Sequence, residues 1–586
     1  MAEAGPNARL DAFGPGEFGS SWRFSGQTHT LTADEPGQVA AVLAAVEAAT
    51  ARGEHAVGFV AYEAAHGLNP ALPPLSAAPD MPLAWFACYR ERLDCAAGDG
   101  LPAPDPTPIT LSPDLDDAAH AAAVARIRSY IAAGDCYQTN FTLPLRGRFS
   151  GDPAALYHRI CQGQQASFCA LLDTGRHLLL SASPELFFSL RDGVVTTRPM
   201  KGTARRGRWP AEDREAADLL RQSPKEQAEN LMIVDLLRND LGIIAETGTV
   251  QVPSLFDVES YPTVHQMTST ITARLRDGAG LVEIFRALFP CGSVTGAPKR
   301  RAMEILHELE QAPRGPYCGA IGYVAPGGEA CFSVAIRTLV LERATGRLTL
   351  GVGSGITWDS LAAAEYRECL AKGDFLCQPA APLALIETLR LEDGGYTLLE
   401  RHLARLASSA ARFGMTFDAA VARGLLDRRA AEGEGARKVR LLLEAGGKLS
   451  ITVEPLPLAD PAIPLRVSLA GERVVSNDLY RYHKTTRREL LDRARAARPD
   501  LDEVVFLNER GELSEGSYHN LVLRLDGRLV TPQLGCGLLP GTLRAELLAR
   551  GEISEAVLYP ADLSRAEEIW LINSVRGWRR AVLCDV

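Results

Sequence analysis

Apolar residues recur every three to four positions in several long segments of the chain, which is the spacing of one face of an α-helix. The segment DDAAHAAAVARIRSYIAAGD shows this period and is ended by Gly134, a residue typical of helix termini. KEQAENLMIVDLLRNDLG, LLERHLARLASSAARFG and TLRAELLAR show the same spacing. The pattern predicts a helix over each of these four segments.

Shorter apolar runs of strand length alternate with these helical segments. The runs HLLLSASPELFFSL and GVVTTRP precede the second predicted helix, and LALIETLRL, followed by the turn EDGG, precedes the third. Residues 30–110 mix short apolar runs with proline- and alanine-rich loops and show little chemistry. The sequence therefore predicts a mixed α and β protein.

The chain divides where a helix rich in alanine and glutamate gives way to Cys377-Gln378-Pro379-Ala380-Ala381-Pro382. After this punctuating segment the strand, turn and helix pattern starts again. A chain of 586 residues is expected to hold more than one domain. We place one domain at 1–378 and a second at 383–586.

The composition excludes several classes of protein. Apolar residues make up 46% and charged residues 23% of the chain, a balance typical of a soluble globular protein, and the net charge of -10 argues against a nucleic-acid partner. No run of about 18 apolar residues predicts a membrane span, and the N-terminus lacks the pattern of a secretory signal. The 12 cysteines, without CxxC pairing, read as buried thiols of a cytoplasmic protein.

Carboxylates share one face on two of the helical segments. Glu226 and Glu229 are spaced i, i+3, and Glu365, Glu368 and Lys372 are spaced i, i+3, i+7. Two such faces could converge on Mg²⁺, which accepts one or two carboxylates together with water and substrate oxygens. The alternative is two solvated helix faces.

Glycine-rich stretches and one lysine add a second kind of candidate site. CGSVTGAPKRRAMEIL leads into a helix near Pro298, and GVGSGITWDS carries three glycines, so both stretches could let backbone approach an anion. Arg337 could clamp a carboxylate. In RPMKGTARR, Lys201 is expected in a tight turn. Ordinary turns and a solvated lysine are the alternatives.

Nine strings in one order carry a family resemblance. They are SPELF, RPMKGT, ENLMIVDLLRNDLG, YPTVHQMTSTI, CGSVTGAPK, GAIGYV, FSVAIRTL, GVGSGI and EYRECLAKG. Together they resemble the chorismate-utilising enzymes, which include anthranilate, isochorismate, salicylate and aminodeoxychorismate synthases. The resemblance covers residues 115–375 densely and residues 1–115 only loosely. It implies an N-terminal β-sandwich with surrounding helices.

The resemblance assigns a role to Lys201. Anthranilate synthases carry a small residue at the position of Lys201, whereas aminodeoxychorismate synthase carries a lysine that attacks C2 of chorismate as the C4 hydroxyl leaves. Isochorismate and salicylate synthases also carry a lysine there, as a base that activates water. Glu185 matches the general acid for the C4 hydroxyl.

Other positions match the metal and substrate sites of the same family. The resemblance places Mg²⁺ on Glu229 and Glu368, with Glu226 and Glu365 close by. The matching substrate positions are His265, Thr295, Gly296, Tyr323, Arg337, Gly353, Ser354, Gly355 and Lys372.

The second part of the chain resembles a different family. LLERHLARLASSAARFG, LYRYHKTTRREL, LNERGELSEGSYHNLVLRLDG, GCGLLPGTLRAELL and IWLINSVRGW are similar to segments of fold-type IV pyridoxal-phosphate enzymes, which comprise two α/β subdomains. This family includes branched-chain and D-amino-acid aminotransferases and aminodeoxychorismate lyase. The matching cofactor positions are Lys484 for the Schiff base, Glu515 for the pyridine nitrogen, and Arg405, Gly541, Thr542, Asn573 and Ser574 for the phosphate.

Three features of the second part bear on its activity. Glu489 stands where many relatives carry a tyrosine near the cofactor ring, and Tyr518-His519 stands where smaller residues are common. HKTT is more similar to lyases than to transaminases. We therefore favour aminodeoxychorismate lyase and keep an aminotransferase as the alternative.

The two resemblances together imply an α+β chain that converts chorismate and ammonia to 4-amino-4-deoxychorismate and then to 4-aminobenzoate, a folate precursor. No GxCxG-type nucleophile with a downstream HxE is present. We therefore expect ammonia from solution or from a separate glutamine amidotransferase subunit, and a homodimer formed through the second domain. The alternatives are an isochorismate or salicylate synthase fused to an aminotransferase, and a non-catalytic regulatory subunit.

Overall fold

The computed structural model describes most of the chain. The described residues are 8–14, 20–75, 81–377, 383–431, 435–444, 446–457, 460 and 462–584. Gln378-Pro379-Ala380-Ala381-Pro382, where the sequence predicts the domain boundary, lies outside them. Within these ranges, no helix is long and apolar enough to span a bilayer.

The chain forms two compact units. One contains Met1–Arg206 and Glu215–Ala381, and the other contains Gly207–Arg214 and Pro382–Val586. Each unit has its own strands and its own hydrophobic cores.

The strands and helices are numbered in chain order. The strands β1 to β30 are Ala8–Asp11, Ser21–Ala33, His55–Val60, Ala84–Cys95, Ser112–Pro113, Gln138–Arg148, Phe168–Asp173, His177–Ser183, Leu186–Arg191, Val194–Arg198, Met200–Arg205, Gln251–Ser260, Val264–Arg274, Gly296–Ala297, Ala320–Val324, Ala330–Val334, Thr338–Glu342, Arg347–Ile356, Ala384–Glu392, Gly395–Tyr396, Arg437–Glu444, Leu449–Pro455, Leu465–Val474, Glu503–Asn508, Leu513–Gly516, Asn520–Leu525, Arg528–Pro532, Ser554–Ala556, Glu568–Asn573 and Gly577–Leu583. The helices α1 to α15 are Val39–Ala51, Ala65–Leu68, Asp117–Ala132, Pro153–Gln164, Pro210–Gln222, Pro224–Gly242, Leu281–Leu288, Lys299–Leu309, Ala362–Ala371, Asp374–Cys377, Leu399–Arg412, Ala419–Ala430, Glu489–Ala496, Thr542–Ala549 and Pro560–Arg565. Short 3-10 turns lie at Pro36–Gln38, Tyr62–Ala64, Gly292–Val294, Leu479–Arg481 and Leu534–Cys536.

Antiparallel strands of the first unit form two long ladders. One runs β2-β4-β3-β15-β16-β9-β10-β13, and β13 also pairs with β11 and β12. The other runs β1-β7-β8-β17-β18-β6, and β1 joins it to β2. One core cluster draws buried side chains from both ladders, for example Trp22, Phe59 and Leu179. This is the layered arrangement of a β-sandwich, as the sequence predicts.

The predicted helices of the first unit form where the apolar period runs. α3 begins after Asp116, whose side chain accepts the N–H of Ala119, and Gly134 follows its end with a φ of 81°. This N-cap and the positive φ at a glycine are the usual ends of a helix. α6 covers the second predicted helix and buries Ile233, Val234 and Leu237.

The second unit contains two sheets, each packed with its own helices. A four-stranded sheet of order β20-β19-β21-β22 packs against α11 and α12 around a core that includes Leu389, Leu406 and Leu426. An eight-stranded sheet of order β25-β24-β23-β30-β29-β26-β27-β28 mixes parallel and antiparallel pairs. These two sheets, each with its helices, correspond to the two α/β subdomains that the family resemblance implies.

Candidate functional site

Lys201 lies in a β-bulge of β11, and not in the tight turn that the sequence suggests. β11 pairs with β13 through Met200 and Thr268 and again through Thr203 and Gln266, so β11 has one extra residue between the two pairs. Gly202 occupies the bulge with a φ of 93°, a conformation that favours glycine. Because a bulge redirects the neighbouring side chain, this irregularity sets the direction of the lysine.

The electrostatic surroundings of Lys201 come from three elements. Burial lowers the pKa of its amine below the ordinary value, while the charges of Glu229 and Glu185 raise it. Lys372 lowers the pKa further, and Glu368 raises it. A lysine with a lowered pKa has more of the neutral form that acts as nucleophile or base.

Glu185 lies between β8 and β9 and is buried. Burial raises the pKa of its carboxyl to about 7, against the opposing effects of Ser293 and Lys201. The Oγ–H of Ser293 donates to Oε1 of Glu185 at 2.6 Å. A carboxyl with this pKa is partly protonated at neutral pH, which suits a general acid.

The predicted metal residues are only partly brought together. Burial raises the pKa of Glu226, and repulsion from Glu229 and Glu368 adds to that effect. The charge of Glu365 raises the pKa of His120, against burial, which lowers it, and Glu365 and Glu368 both raise the pKa of Cys369. Across the part of the chain that the structure describes, no group of three or more acidic, histidine or cysteine side chains forms a metal site.

The predicted anion-binding residues of the first unit are linked by short hydrogen bonds. The Nζ of Lys372 donates to the carbonyl of Gly353 at 2.6 Å and to Oε1 of Glu368 at 2.7 Å. Nη1 of Arg337 donates to the carbonyl of Lys372 at 2.6 Å. Arg337, Lys372 and the strand β18 therefore form one connected group.

Gly355 allows β18 to approach Lys201 closely. A Cβ at this position would lie 2.2 Å from Nε2 of Gln138 and 3.2 Å from Nζ of Lys201. Ser354, the neighbouring residue, is buried, and burial raises the pKa of the nearby Cys369 thiol to about 11, against the opposing effects of Lys372 and Ser354. At Gly355, therefore, the backbone of β18 lies next to the amine of Lys201 with no side chain between them.

The predicted substrate residues Thr295 and Gly296 stabilise the conformation of their own loop. Oγ1 of Thr295 donates to the carbonyls of Cys291 and Gly292 at 3.1 and 3.3 Å. Gly296 has a φ of 143°, and a Cβ there would lie 2.2 Å from the carbonyl oxygen of Gln138. These contacts hold the loop against β6.

His265 and Tyr323 lie in different surroundings. His265 is buried on β13, opposite Ala204 of β11, and its Nδ1 lies 3.0 Å from Oγ of Ser260. The hydroxyl of Tyr323 donates to Oε1 of Glu329 at 2.6 Å, and its ring packs 5.0 Å from Trp22 in the sandwich core. None of these contacts connects Tyr323 with Lys201.

Lys484 in the second unit lies on a loop that is attached to β19. The amide of Ile386 donates to the carbonyl of Lys484 at 2.8 Å, and the amide of Thr486 donates to Ala384 at 2.9 Å. Burial and the charge of Arg405 lower the pKa of the Lys484 amine to about 8. About a tenth of this amine is therefore neutral at pH 7, far more than in an ordinary lysine.

Glu515 is the buried carboxyl of the same region. Burial raises its pKa to about 7, against the opposing charge of Arg481. Nδ2 of Asn520 donates to Oε2 of Glu515 at 3.2 Å. A Cβ at Gly541 would lie 2.0 Å from Oδ1 of Asn520, so the glycine leaves room for this amide.

The predicted phosphate residues meet around a buried network. Arg405 donates to the carbonyl of Pro540 at 3.0 Å. Thr542 begins α14, whose first amides have no partner inside the helix. Oδ1 of Asn573 accepts the amides of Val575 and Arg576 at 3.0 and 2.7 Å.

A cavity of about 710 Å³ connects these groups. Lys484, Glu515, Arg405, Thr542 and Ser574 all line it. The cavity has the size usual for a cofactor site. A lysine at one wall, a carboxyl for a ring nitrogen and a helix N-terminus for an anion fit pyridoxal phosphate in donor chemistry.

The departures noted in the sequence have structural counterparts. Glu489 begins α13 and is exposed. Glu503 is buried and holds the loop at Tyr518 and His519, accepting the amide of Tyr518 at 3.1 Å and contacting Nδ1 of His519 at 2.8 Å. His519 therefore has a fixed position at the cavity wall.

Several residues of these sites were not singled out from the sequence. Ser293 contacts Glu185, and Gln138 lies beside Gly355. A Cβ at Gly351 would lie 2.2 Å from the ring of Tyr317. Burial lowers the pKa of Arg337, and Tyr317 opposes this effect. The string CGSVTG contains Ser293, but the sequence carries no signal for its partner.

Each of the two units contains a lysine near a buried carboxyl, an arrangement typical of an enzyme active site. The family model of chorismate binding enzymes matches residues 3–378, and the model of class IV amino-transferases matches residues 384–584. The chain belongs to the chorismate binding enzyme family and has the class IV aminotransferase fold in its C-terminal part.

Individual relatives match the first part of the chain. Aminodeoxychorismate synthase component 1 of Salmonella typhimurium is 44% identical over 43% of this chain and 56% of its own length. Anthranilate synthase component 1 of Methanothermobacter thermautotrophicus is 38% identical over 48% of this chain and 58% of its own length. The chain thus spans about half the length of these curated relatives.

A solved structure shows the same fold in the first part. The crystal structure of anthranilate synthase component I from Streptococcus pneumoniae has a TM-score of 0.53 and 26% identity, and it covers 64% of this chain and 94% of its own chain.

Proposed function

We propose that the chain makes 4-aminobenzoate from chorismate in two steps. The observation that carries this proposal is the pair of half-buried lysines, each with a pKa lowered by burial and each in the same unit as a buried carboxyl of pKa about 7. The similarity to aminodeoxychorismate synthase component 1 supports the first step, and the class IV amino-transferase match supports the second.

In the first step, the neutral amine of Lys201 attacks C2 of chorismate. The ring double bonds shift, and the C4 hydroxyl takes a proton from Glu185 and leaves as water. Ammonia then attacks C4, the double bonds shift back and the C2–N bond to Lys201 breaks. Lys201 leaves as a neutral amine, and the extra proton on the new nitrogen returns to Glu185, so both groups end in the state in which they began.

The surrounding groups hold the substrate for this step. Arg337 and Lys372 are cations that suit the substrate carboxylates, and Gly355 lets the ring approach the lysine. Glu229 and Glu368 would hold Mg²⁺, since this ion needs only one or two protein carboxylates when substrate supplies other oxygens. The ion would neutralise the ring carboxylate.

In the second step, pyridoxal phosphate would supply an electron sink beside C4 of aminodeoxychorismate. Glu515 would face the ring nitrogen, and Arg405, Gly541, Thr542, Asn573 and Ser574 would surround the phosphate. Lys484 removes the proton from C4. The C3–O bond then breaks, the enol of pyruvate leaves, and the remaining ring becomes aromatic.

Two partners belong to this proposal. A separate glutamine amidotransferase subunit would supply ammonia, because component 1 in a relative's name implies a further component. A second copy of the chain would pack against the pyridoxal-phosphate unit. Both are open to measurement by copurification and by light scattering.

Product analysis tests the proposal. Purified protein is incubated with chorismate, ammonium, Mg²⁺ and pyridoxal phosphate, and products are followed by mass spectrometry. We expect 4-aminobenzoate and pyruvate in equal amounts. Accumulated aminodeoxychorismate would contradict the second step, and isochorismate or salicylate would contradict the first because Lys201 would then activate water.

A further inference from the structure

His402 lies at the centre of a buried hydrogen-bond network in the second unit. Its side chain is 1% exposed. Nδ1 lies 2.5 Å from Oε2 of Glu387. Nε2 lies 2.9 Å from Oγ of Ser574 and 3.2 Å from Oγ1 of Thr542. One imidazole therefore connects a buried carboxylate with two hydroxyl groups that line the cavity.

Glu387 is ionised throughout the neutral range. Arg405 donates to both of its oxygens, at 2.9 Å from Nε and 2.7 Å from Nη2. The charge of Arg405 and the hydrogen bond from His402 lower the pKa of Glu387 to about 2, against burial. Nδ1 of His402 therefore carries the proton that it shares with this carboxylate.

The protonation state of Nε2 decides what the two hydroxyl groups can do. In neutral His402, Nε2 has a lone pair and accepts a hydrogen bond from the hydroxyl of Ser574 or Thr542, so that hydroxyl cannot donate elsewhere. In charged His402, Nε2 donates, and both hydroxyl protons are available to an anion in the cavity. The switch changes the number of hydroxyl donors by one.

Charge balance favours the charged state when a phosphate is bound. The charge of Arg405 is already offset by Glu387, with which it forms a two-point ion pair. The groups that act on the pKa of His402 are Glu387, which raises it, and Arg405 and Lys484, which lower it. Burial keeps the imidazole of the anion-free protein neutral, and a dianion beside the hydroxyls would reverse that preference.

We propose that His402 takes up a proton when the phosphate of pyridoxal phosphate binds, and so turns both hydroxyl groups, on Thr542 and Ser574, towards the phosphate. The proton comes from solvent and adds to Nε2. His402 is a positioning residue, because it acts through these hydroxyls, and Glu387 holds it in place. The inference rests on the proposed binding of pyridoxal phosphate by the second unit.

Titration calorimetry counts the protons. The full chain without cofactor is titrated with pyridoxal phosphate near pH 7.5 in buffers of different ionisation enthalpy, for the wild type and for His402→Gln. Glutamine keeps a polar side chain but cannot take a proton. Protons exchanged by Lys484 and by the ligand are common to both proteins, so their difference reports His402. We expect the wild type to take up about one proton more.

A second measurement separates phosphate binding from general damage. Pyridoxal has no phosphate, and its binding to Lys484 is read by absorbance. His402→Gln is expected to weaken the binding of pyridoxal phosphate about 10- to 100-fold, which is the range of one hydrogen bond to a charged group. The affinity for pyridoxal should stay unchanged. The Thr542→Val, Ser574→Ala double variant should remove most of the further effect of His402→Gln.

The outcomes are distinguishable. Equal proton uptake in both proteins, or equal weakening of both ligands, would overturn the role of His402. If His402→Gln does not fold, the double variant supplies the proton count, and an uptake equal to that of the wild type overturns the inference. Wild-type protein that binds no pyridoxal phosphate would instead overturn the proposed second step.

Discussion

The two lysines of this chain share one property and differ in another. Burial lowers the pKa of both Lys201 and Lys484. Lys201 is surrounded mainly by carboxylates, of which Glu229 has the largest effect, whereas the largest charge effect on Lys484 comes from Arg405. The same residue type therefore lies in a negative surrounding in one unit and beside a cation in the other.

This difference suits the ligands proposed for each unit. Carboxylates around Lys201 attract ammonium and Mg²⁺, and they also hold the amine more basic than burial alone would. A cation near Lys484 favours the neutral amine and an anionic cofactor. Burial supplies the reactive amine in both cases, and the neighbouring charges decide which partners it meets.

The sharpest test removes each lysine in turn. Lys201→Ala is expected to reduce amination at least about 10⁴-fold, because the proposed nucleophile is lost. Conversion of supplied aminodeoxychorismate should continue unchanged. Both rates are measured by product chromatography, and Arg238→Ala, which removes an exposed cation of α6 paired with Asp235, is the control. Equal loss of both rates would contradict two independent sites.

The reciprocal change tests the second unit. Lys484→Ala should let aminodeoxychorismate accumulate and reduce 4-aminobenzoate formation at least about 10⁴-fold, since the proposed base at C4 is lost. Lys448→Ala, an exposed lysine paired with Glu444, should behave as the wild type. Normal 4-aminobenzoate formation in Lys484→Ala would remove this lysine from its role.

Glu185→Gln tests the proposed proton donor of the first unit. We expect a loss of about 10²- to 10⁴-fold in amination, the usual contribution of a general acid. The wild-type rate should fall as the pH rises above about 7, because the carboxyl with its raised pKa then loses the proton that it must donate. A Glu185→Gln variant that keeps both this rate and this pH dependence would exclude the assignment.

Ser293→Ala should move that pH dependence and not abolish activity. The hydroxyl of Ser293 donates to Glu185 and favours the charged carboxylate. Its removal should raise the pKa of Glu185 and shift the alkaline fall in rate upwards by about one pH unit. The shift is read from kcat/KM between pH 6 and 9, and a downward shift would contradict the hydrogen bond.

The smallest expected effects come from two glycines, one in each unit. Gly355→Ala would place a Cβ beside Gln138 and Lys201, and Gly541→Ala would place one against Asn520. Each should cost about 1–3 kcal/mol in overpacking or displaced side chains. Gly355→Ala should slow only amination and Gly541→Ala only 4-aminobenzoate release. Urea unfolding and the two separate assays check both effects.

The helices of this chain followed from its sequence because their signals are local. The apolar period and the residues at each end predict α3, α6, α11 and α14, which the structure places within a few residues of the predicted limits. Hydrophobic burial and capping act over one or two turns, so a short window of sequence contains the information. The tight turn predicted at Lys201 was wrong, because this lysine lies in a bulge and a bulge depends on the register of the partner strand.

The sequence by itself determined which residue types are available: two lysines in distinctive strings, carboxylates spaced along helices, and glycines where backbone must come close. Only the tertiary structure decided which of these residues contact one another. Ser293 meets Glu185 across 108 positions, and Ser574 meets His402 across 172. Tyr323, assigned from the same family resemblance, contacts Glu329 and Trp22. The physical reason is that a pKa depends on burial and on neighbouring charges, and both are set by packing between segments that are distant in the chain.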